Sequence, residues 1–115
     1  MEDFRERTIL QTGEEGMALL SSSRVAVIGL GGVGAMAAEM IARAGVGKII
    51  IADSDVYSIT NKNRQIAAFD STIGRKKTEV IRERLLDINP DIQITVIDEY
   101  LTGKTYLLSF LRLIL

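Results

Sequence analysis

The sequence predicts an α/β fold in which about three parallel strands are flanked by helices. Three observations carry this prediction. Short runs rich in β-branched residues recur at 24–29, 48–53 and 93–97, the segments between them place apolar residues at helical spacing, and each crossover is long enough for a helix. With 115 residues, 47% of them hydrophobic and 25% charged, the chain has the size and composition of one domain. No repeat, low-complexity tract or linker divides residues 1–115, so a single domain is expected.

Glu14 to Leu20 reads as a short helix ahead of the first strand. Arg24 to Gly29 (RVAVIG) is an apolar run that ends at glycine, as a buried parallel strand does. From about Val33 to Ala44 a helix is predicted, because Ala37, Ile41 and Ala44 fall at i, i+4 and i+7 with Met36 and Met40 alongside. Gly45 supplies its stop. Lys48 to Asp53 (KIIIAD) is the second strand, its three isoleucines suited to burial on both faces. After the polar segment Ser54 to Gln65, a helix is predicted from about Gly74 to Ile88, with Ile81, Leu85 and Ile88 at core spacing before Asn89-Pro90. Gln93 to Ile97 alternates as a third strand, and Thr105 to Leu115 reads as a further helix. So thin a sheet leaves its outer strands to be covered, which predicts an incomplete domain or an oligomer.

Composition removes whole classes of chemistry. With no cysteine and no histidine, disulfides, zinc fingers, thiolate nucleophiles and imidazole bases are all excluded. Fourteen basic against fifteen acidic side chains give a net charge of -1, which does not predict standalone binding of tRNA or DNA. The charged N-terminus carries no export signal, and the apolar stretch from Tyr106 to Leu115 is shorter than a membrane span needs, so a cytoplasmic protein without a membrane partner is expected.

Gly29-Leu30-Gly31-Gly32-Val33-Gly34 matches G-x-G-x-x-G between a strand and a helix, and Asp53 closes the following strand. This is the Rossmann-like arrangement. Gly29 permits the tight turn, Gly31 lets a ligand approach bare backbone, and Gly34 lets the helix pack close to the sheet. The first helical amides then face phosphates, and Asp53 accepts hydrogen bonds from ribose hydroxyls. The glycine pattern by itself favours a dinucleotide such as NAD. Arg64, Lys76 and Lys77 shift the balance, because a triphosphate whose pyrophosphate departs needs fixed cations and a simple NAD site does not. An NAD-dependent dehydrogenase is further disfavoured by the lack of any histidine.

The segments Arg24 to Gly34, Asp53 to Gln65 and Gly74 to Lys77 resemble the ThiF/HesA/MoeB adenylating family, relatives of ubiquitin-activating enzymes. The Asp-x-Asp…Asn-x-x-Arg-Gln run with its downstream lysine is the most specific part. Arg7-Thr8-Ile9-Leu10, Gly13-Glu14-Glu15-Gly16, the run Thr60 to Ile66, and Asp87-Ile88-Asn89-Pro90 are most similar to the tRNA threonylcarbamoyladenosine dehydratase branch. Such enzymes use ATP to adenylate the threonyl carboxylate of a modified tRNA adenosine, after which a ring closes and AMP leaves.

The resemblance implies that Gly29, Gly31, Gly32 and Gly34 cradle the nucleotide and that Asp53 holds the ribose. It implies that Asn61, Arg64 and Lys77 surround the triphosphate with Asp55 in support, and that Arg7 enters the partner subunit's site in a homodimer. Catalytic contributions are thus expected from Arg64, Lys77 and Arg7. ATP is the implied cofactor, with Mg2+ held by an aspartate in a later strand of the family that has no counterpart here. The resemblance fades from Glu99 onward, where Leu107, Leu108, Phe110, Leu111, Leu113, Ile114 and Leu115 make the terminus apolar. Truncation of a longer family member and self-association through that terminus are the expectations. Two other functions stay open on the residues: adenylation of a sulfur-carrier protein, and a non-catalytic nucleotide-binding or assembly module.

Overall fold

Strands form where the β-branched runs lie: β1 at Arg24–Ile28, β2 at Lys48–Ala52 and β3 at Gln93–Ile97, in a computed structural model that describes residues 3–99 and 104. They pair in parallel in the order β1-β2-β3. β2 is therefore central among them, which is why its isoleucines are buried on both faces while β1 alternates and β3 stays largely exposed. The register stacks Val25, Ile49 and Ile94 in one row and Val27, Ile51 and Val96 in the next. On that face the main core gathers Val27, Ile49 and Ile51 with Ala35, Ala38 and Ala42, and with Val80, Ile81 and Leu85. Each fully buried isoleucine stabilises the fold by about 1.5–3 kcal/mol relative to exposure. Ile50, Ala52 and Ile97 form a separate apolar cluster.

The helix α2 spans Gly32–Ala44, and α3 spans Lys77–Ile88. The alanines of α2 at positions 35, 38 and 42 are fully buried, so this helix lies close against the strands. Glu39 is only 7% exposed, and its carboxylate receives the Arg84 guanidinium at 2.8 Å, which fixes α2 against α3. Gly45, at φ 96°, ends α2 in the left-handed conformation as its sequence position predicts.

The helix α1 runs over Glu6–Ser22, beginning well before the expected Glu14. Gly13, at φ 72° and ψ 173°, breaks it into two pieces, and the expected helix from Glu14 to Leu20 is the second of them. Its end packs at the entrance to β2. The Gly47 amide donates to Leu20 O at 3.2 Å, and a Cβ on Gly47 would meet Ser21 O at 1.9 Å. Gly47→Ala is expected to destabilise the fold by about 1–3 kcal/mol through this clash. Chemical denaturation checks the prediction.

Between β2 and α3 the polar segment carries a short 3-10 helix at Ile59–Asn63, which its composition did not announce. α3 starts three residues later than expected. Gly74 has φ 86°, and residues 74–77 leave the helical path to pair with 55–57 through an antiparallel Val56–Lys76 bridge. No helix among the described residues is long and apolar enough to cross a membrane. The expected helix from Thr105 to Leu115 and the apolar terminus lie outside the described residues.

Candidate functional site

The chain leaves β1 at Ile28 and turns at Gly29, whose φ of 88° no β-branched residue adopts without strain. The Gly29 amide donates to Ala52 O at 2.8 Å, which ties the turn to the end of β2. A Cβ on Gly34 would stand 1.7 Å from Gly29 O, so the first turn of α2 rests directly on the loop. Gly31 and Gly32 face more open space, with Gln65 Nε2 4.0 Å and Arg64 O 3.5 Å from where their Cβ atoms would stand. Gly31 caps α2 with no side-chain hydrogen bond, and no acidic residue occupies the helix's first turn. The first turn of α2 therefore carries no acidic side chain of its own where the loop is barest, an arrangement that favours anions.

Asp53 joins the loop to the second strand. The Leu30 amide donates to its Oδ2 at 2.7 Å, and the Asp55 amide donates to its Oδ1 at 2.7 Å. Each carboxylate oxygen has a further lone pair with which to accept a hydroxyl hydrogen. Asp55 is exposed, and its carbonyl accepts the Lys77 amide at 3.0 Å. Asn61 is 9% exposed and its Oδ1 accepts the Ser58 amide at 2.9 Å, while its carbonyl accepts the amides of Arg64 and Gln65 at 3.2 and 2.9 Å. Asn61 thus builds the turn from which Arg64 projects.

Five cations lie on this stretch, and their partners separate them. Lys62 pairs with Asp70, Lys76 with Asp98, and Arg75 with Glu79 and Glu83. These carboxylates raise the pKa of Arg75 and of Lys76 and account for the basic residues tolerated around the start of α3. Arg64 is exposed, and among the described residues it donates to Thr60 O at 3.3 Å and Asn63 Oδ1 at 3.0 Å, both uncharged. Lys77 is 6% exposed and has no carboxylate partner among the described residues. Lys76, also singled out in the sequence as a triphosphate cation, is thus engaged by Asp98, and among the described residues Arg64 and Lys77 are the two of the five without a carboxylate partner.

Contacts, backbone ones in the case of Arg64 and Lys77, therefore link the segments that carry Gly29, Gly31, Gly32, Gly34, Asp53, Asp55, Asn61, Arg64 and Lys77 at the ends of β1 and β2. Arg7 is not brought to it within one protomer. Arg7 is exposed in α1, two residues beyond Arg5, whose guanidinium lies 4.0 Å from Asp91 at the end of the sheet where the strands begin. Two residues of the neighbourhood were given no role from the sequence. Gln65, 6% exposed, has a buried Oε1 without a hydrogen-bond partner among the described residues, beside the glycine loop. Tyr57, 1% exposed, has a buried hydroxyl likewise without a partner among them, and its ring centroid lies 5.6 Å from Lys77 Nζ. Burial, opposed by Arg84 and reinforced by Asp53 and Glu39, pushes the Tyr57 phenol up to about 12.

Comparison with known proteins places the cluster in context. Residues 5–114 match the ThiF family. The tRNA threonylcarbamoyladenosine dehydratase of Bacillus subtilis is 45% identical over 100 residues, which make up 87% of this chain and 39% of that protein. The sulfur carrier protein ThiS adenylyltransferase of Escherichia coli is 43% identical over 90 residues, 78% of this chain and 36% of the relative. Among solved structures, the E. coli tRNA N6-threonylcarbamoyladenosine dehydratase in complex with ATP aligns at a TM-score of 0.89 and 38% identity, over 92% of this chain and 44% of that one. The chain spans well under half the length of each of these relatives.

Proposed function

Because the chain belongs to the ThiF family, we propose that it forms the ATP-binding part of an enzyme that adenylates a carboxylate, and that the carboxylate is the threonyl group of a modified tRNA adenosine. The identity to dehydratases supports the choice of acceptor. The observation that carries the ATP reading is the pair of cations without carboxylate partners among the described residues, Arg64 and Lys77, on segments linked to a helix start with no acidic side chain in its first turn and to Asp53. In this reading the amides at Gly31 to Gly34 take the phosphates, and Asp53 accepts from the ribose hydroxyls.

The acceptor carboxylate attacks the α-phosphorus, the bond to pyrophosphate breaks, and the acyl adenylate forms. Arg64 and Lys77 stabilise the charge that gathers on the departing pyrophosphate. Lys77 is suited to this because an ammonium shielded from water interacts more strongly than a solvated one. The carbamoyl group then closes onto the activated carboxyl carbon and AMP leaves. Asp55 and Asn61 act in support, and Arg7 acts across a homodimer, in the partner's site. Among the described residues no three Asp, Glu, His or Cys side chains are grouped to hold a metal ion. The described residues therefore form no carboxylate cage for magnesium.

Radiolabelled pyrophosphate exchange into ATP tests the reaction on the complete protein. Arg64→Ala is expected to lower exchange at least tenfold, since charge-assisted contacts contribute about 1.5–3 kcal/mol. Unchanged exchange in that variant removes Arg64 from the mechanism. A second reading, adenylation of a sulfur-carrier protein's terminal carboxylate, is favoured by the 43% identity to the ThiS adenylyltransferase. Supplying modified tRNA or carrier protein as acceptor separates the two, and the tRNA reading requires AMP release that depends on the tRNA.

A further inference from the structure

Lys77 presents a problem that its neighbours do not. Lys62, Arg75 and Lys76 are each matched by a carboxylate, whereas Lys77 is the most deeply buried of them and has none among the described residues. A buried charge needs compensation. What the described residues place against the ammonium is the Tyr57 ring, its centroid 5.6 Å from Nζ, within the range of a cation–π contact.

The same backbone pairing fixes both partners. The Tyr57 amide donates to Arg75 O at 3.0 Å, the Gly74 amide donates to Tyr57 O at 2.8 Å, and the Lys77 amide donates to Asp55 O at 3.0 Å. Ring and ammonium are thereby held in register across two segments far apart in sequence. A carboxylate in the ring's place would neutralise the ammonium and compete with an incoming phosphate for it. A ring face attracts the cation through its quadrupole and carries no net charge, so the full positive charge stays available to an anionic ligand.

We infer that Tyr57 is a positioning residue: its ring seats the Lys77 ammonium in the nucleotide site without neutralising it, and so presents a fully charged lysine to a polyphosphate. The inference rests on the ATP reading of the site. The hydroxyl takes no part in this role. It is buried without a partner, and burial keeps it protonated through the ordinary pH range.

Calorimetric titration of the chain with ATP and with adenosine tests the inference. Tyr57→Leu is expected to weaken ATP about fivefold, the size of a partly desolvated cation–π contact, and Tyr57→Phe to restore it. Fluorinated phenylalanines at position 57 keep the ring's shape while draining negative potential from its face, so they probe the contact without depending on whether the leucine variant folds. ATP affinity should fall stepwise with fluorination to about fivefold below Tyr57→Phe, adenosine affinity should stay constant, and in a Lys77→Met background the ATP series should be flat. Equal ATP affinity across the fluorinated series, or parallel losses for ATP and adenosine, overturns the role of Tyr57 alone. A wild-type chain that binds no ATP overturns the ATP reading, and this inference with it.

Discussion

Gly34→Ala is expected to cost the domain about 3 kcal/mol or more, a fall in Tm on the order of 12 °C or more for a domain of this size. The added Cβ would stand 1.7 Å from Gly29 O and 2.8 Å from Gly29 C, both backbone atoms of a turn already committed to a φ of 88°. Neither rotamer change nor a flexible neighbour can relieve that contact, so α2 must lift from the loop and withdraw Ala35 and Ala38 from the core. Gly31→Ala is the informative contrast. Its φ of -73° suits alanine, and the nearest side-chain atom lies 4.0 Å away. Stability should change by no more than about 1 kcal/mol, in either direction, while ATP affinity falls at least about tenfold because the methyl group stands where phosphates approach. Thermal melts and calorimetry on the two variants distinguish a glycine that the fold requires from one that the ligand requires.

Lys77→Met carries the second large effect. The thioether side chain fills the lysine stem's space and removes a buried charge that has no carboxylate beside it among the described residues. The ligand-free domain should be at least as stable as the wild type, since an uncompensated buried charge is destabilising. ATP affinity should fall by about 2–3 kcal/mol, on the order of 30- to 150-fold. Lys62→Met, which removes a cation already paired with Asp70, serves as the control and should leave ATP binding unchanged. A loss of stability in Lys77→Met with no loss of ATP affinity would make Lys77 a structural residue.

Local chemistry made most of the fold legible. The isoleucines of β2 and the glycine that ends β1 mark the strands, and the apolar spacing of α2 ends at Gly45 as written. Departures arise where a distant partner overrides local pattern. Gly13 does bound a helix, since its φ of 72° and ψ of 173° break α1 into two pieces; the piece after it is the helix expected from Glu14, and the piece before it, from Glu6, was not expected. Arg75 and Lys76 read as the first turn of α3, but their backbone pairs with 55–57, twenty residues away, and the helix waits until Lys77.

The site divides along the same line. The roles suggested for Gly29 and Gly34 follow from backbone geometry that a strand-turn-helix sequence dictates, and the structure has the positive φ and the close approach that those roles need. Which of the neighbouring cations lack a counter-ion could not be read locally. The partners of Lys62 and Lys76 are Asp70 and Asp98, eight and twenty-two residues away. Tyr57 was hidden for the same reason, since an aromatic residue in a polar loop gives no sign that its ring will meet Lys77 until the two segments pair. Gln65 stood in the motif, but only packing beneath Gly31 makes its carbonyl oxygen a buried atom without a partner.

Whether one adenylate spans the glycine bend, the acid at 53 and the cations at 64 and 77 together is read directly by titrating the nitrogen-15-labelled chain with ATP and following its amide resonances. The amides of Leu30 to Gly34, Asp53, Arg64 and Lys77 are expected to shift in concert with one dissociation constant. Shifts confined to another surface, or separate constants for the loop and for the cation-bearing segment, would contradict it.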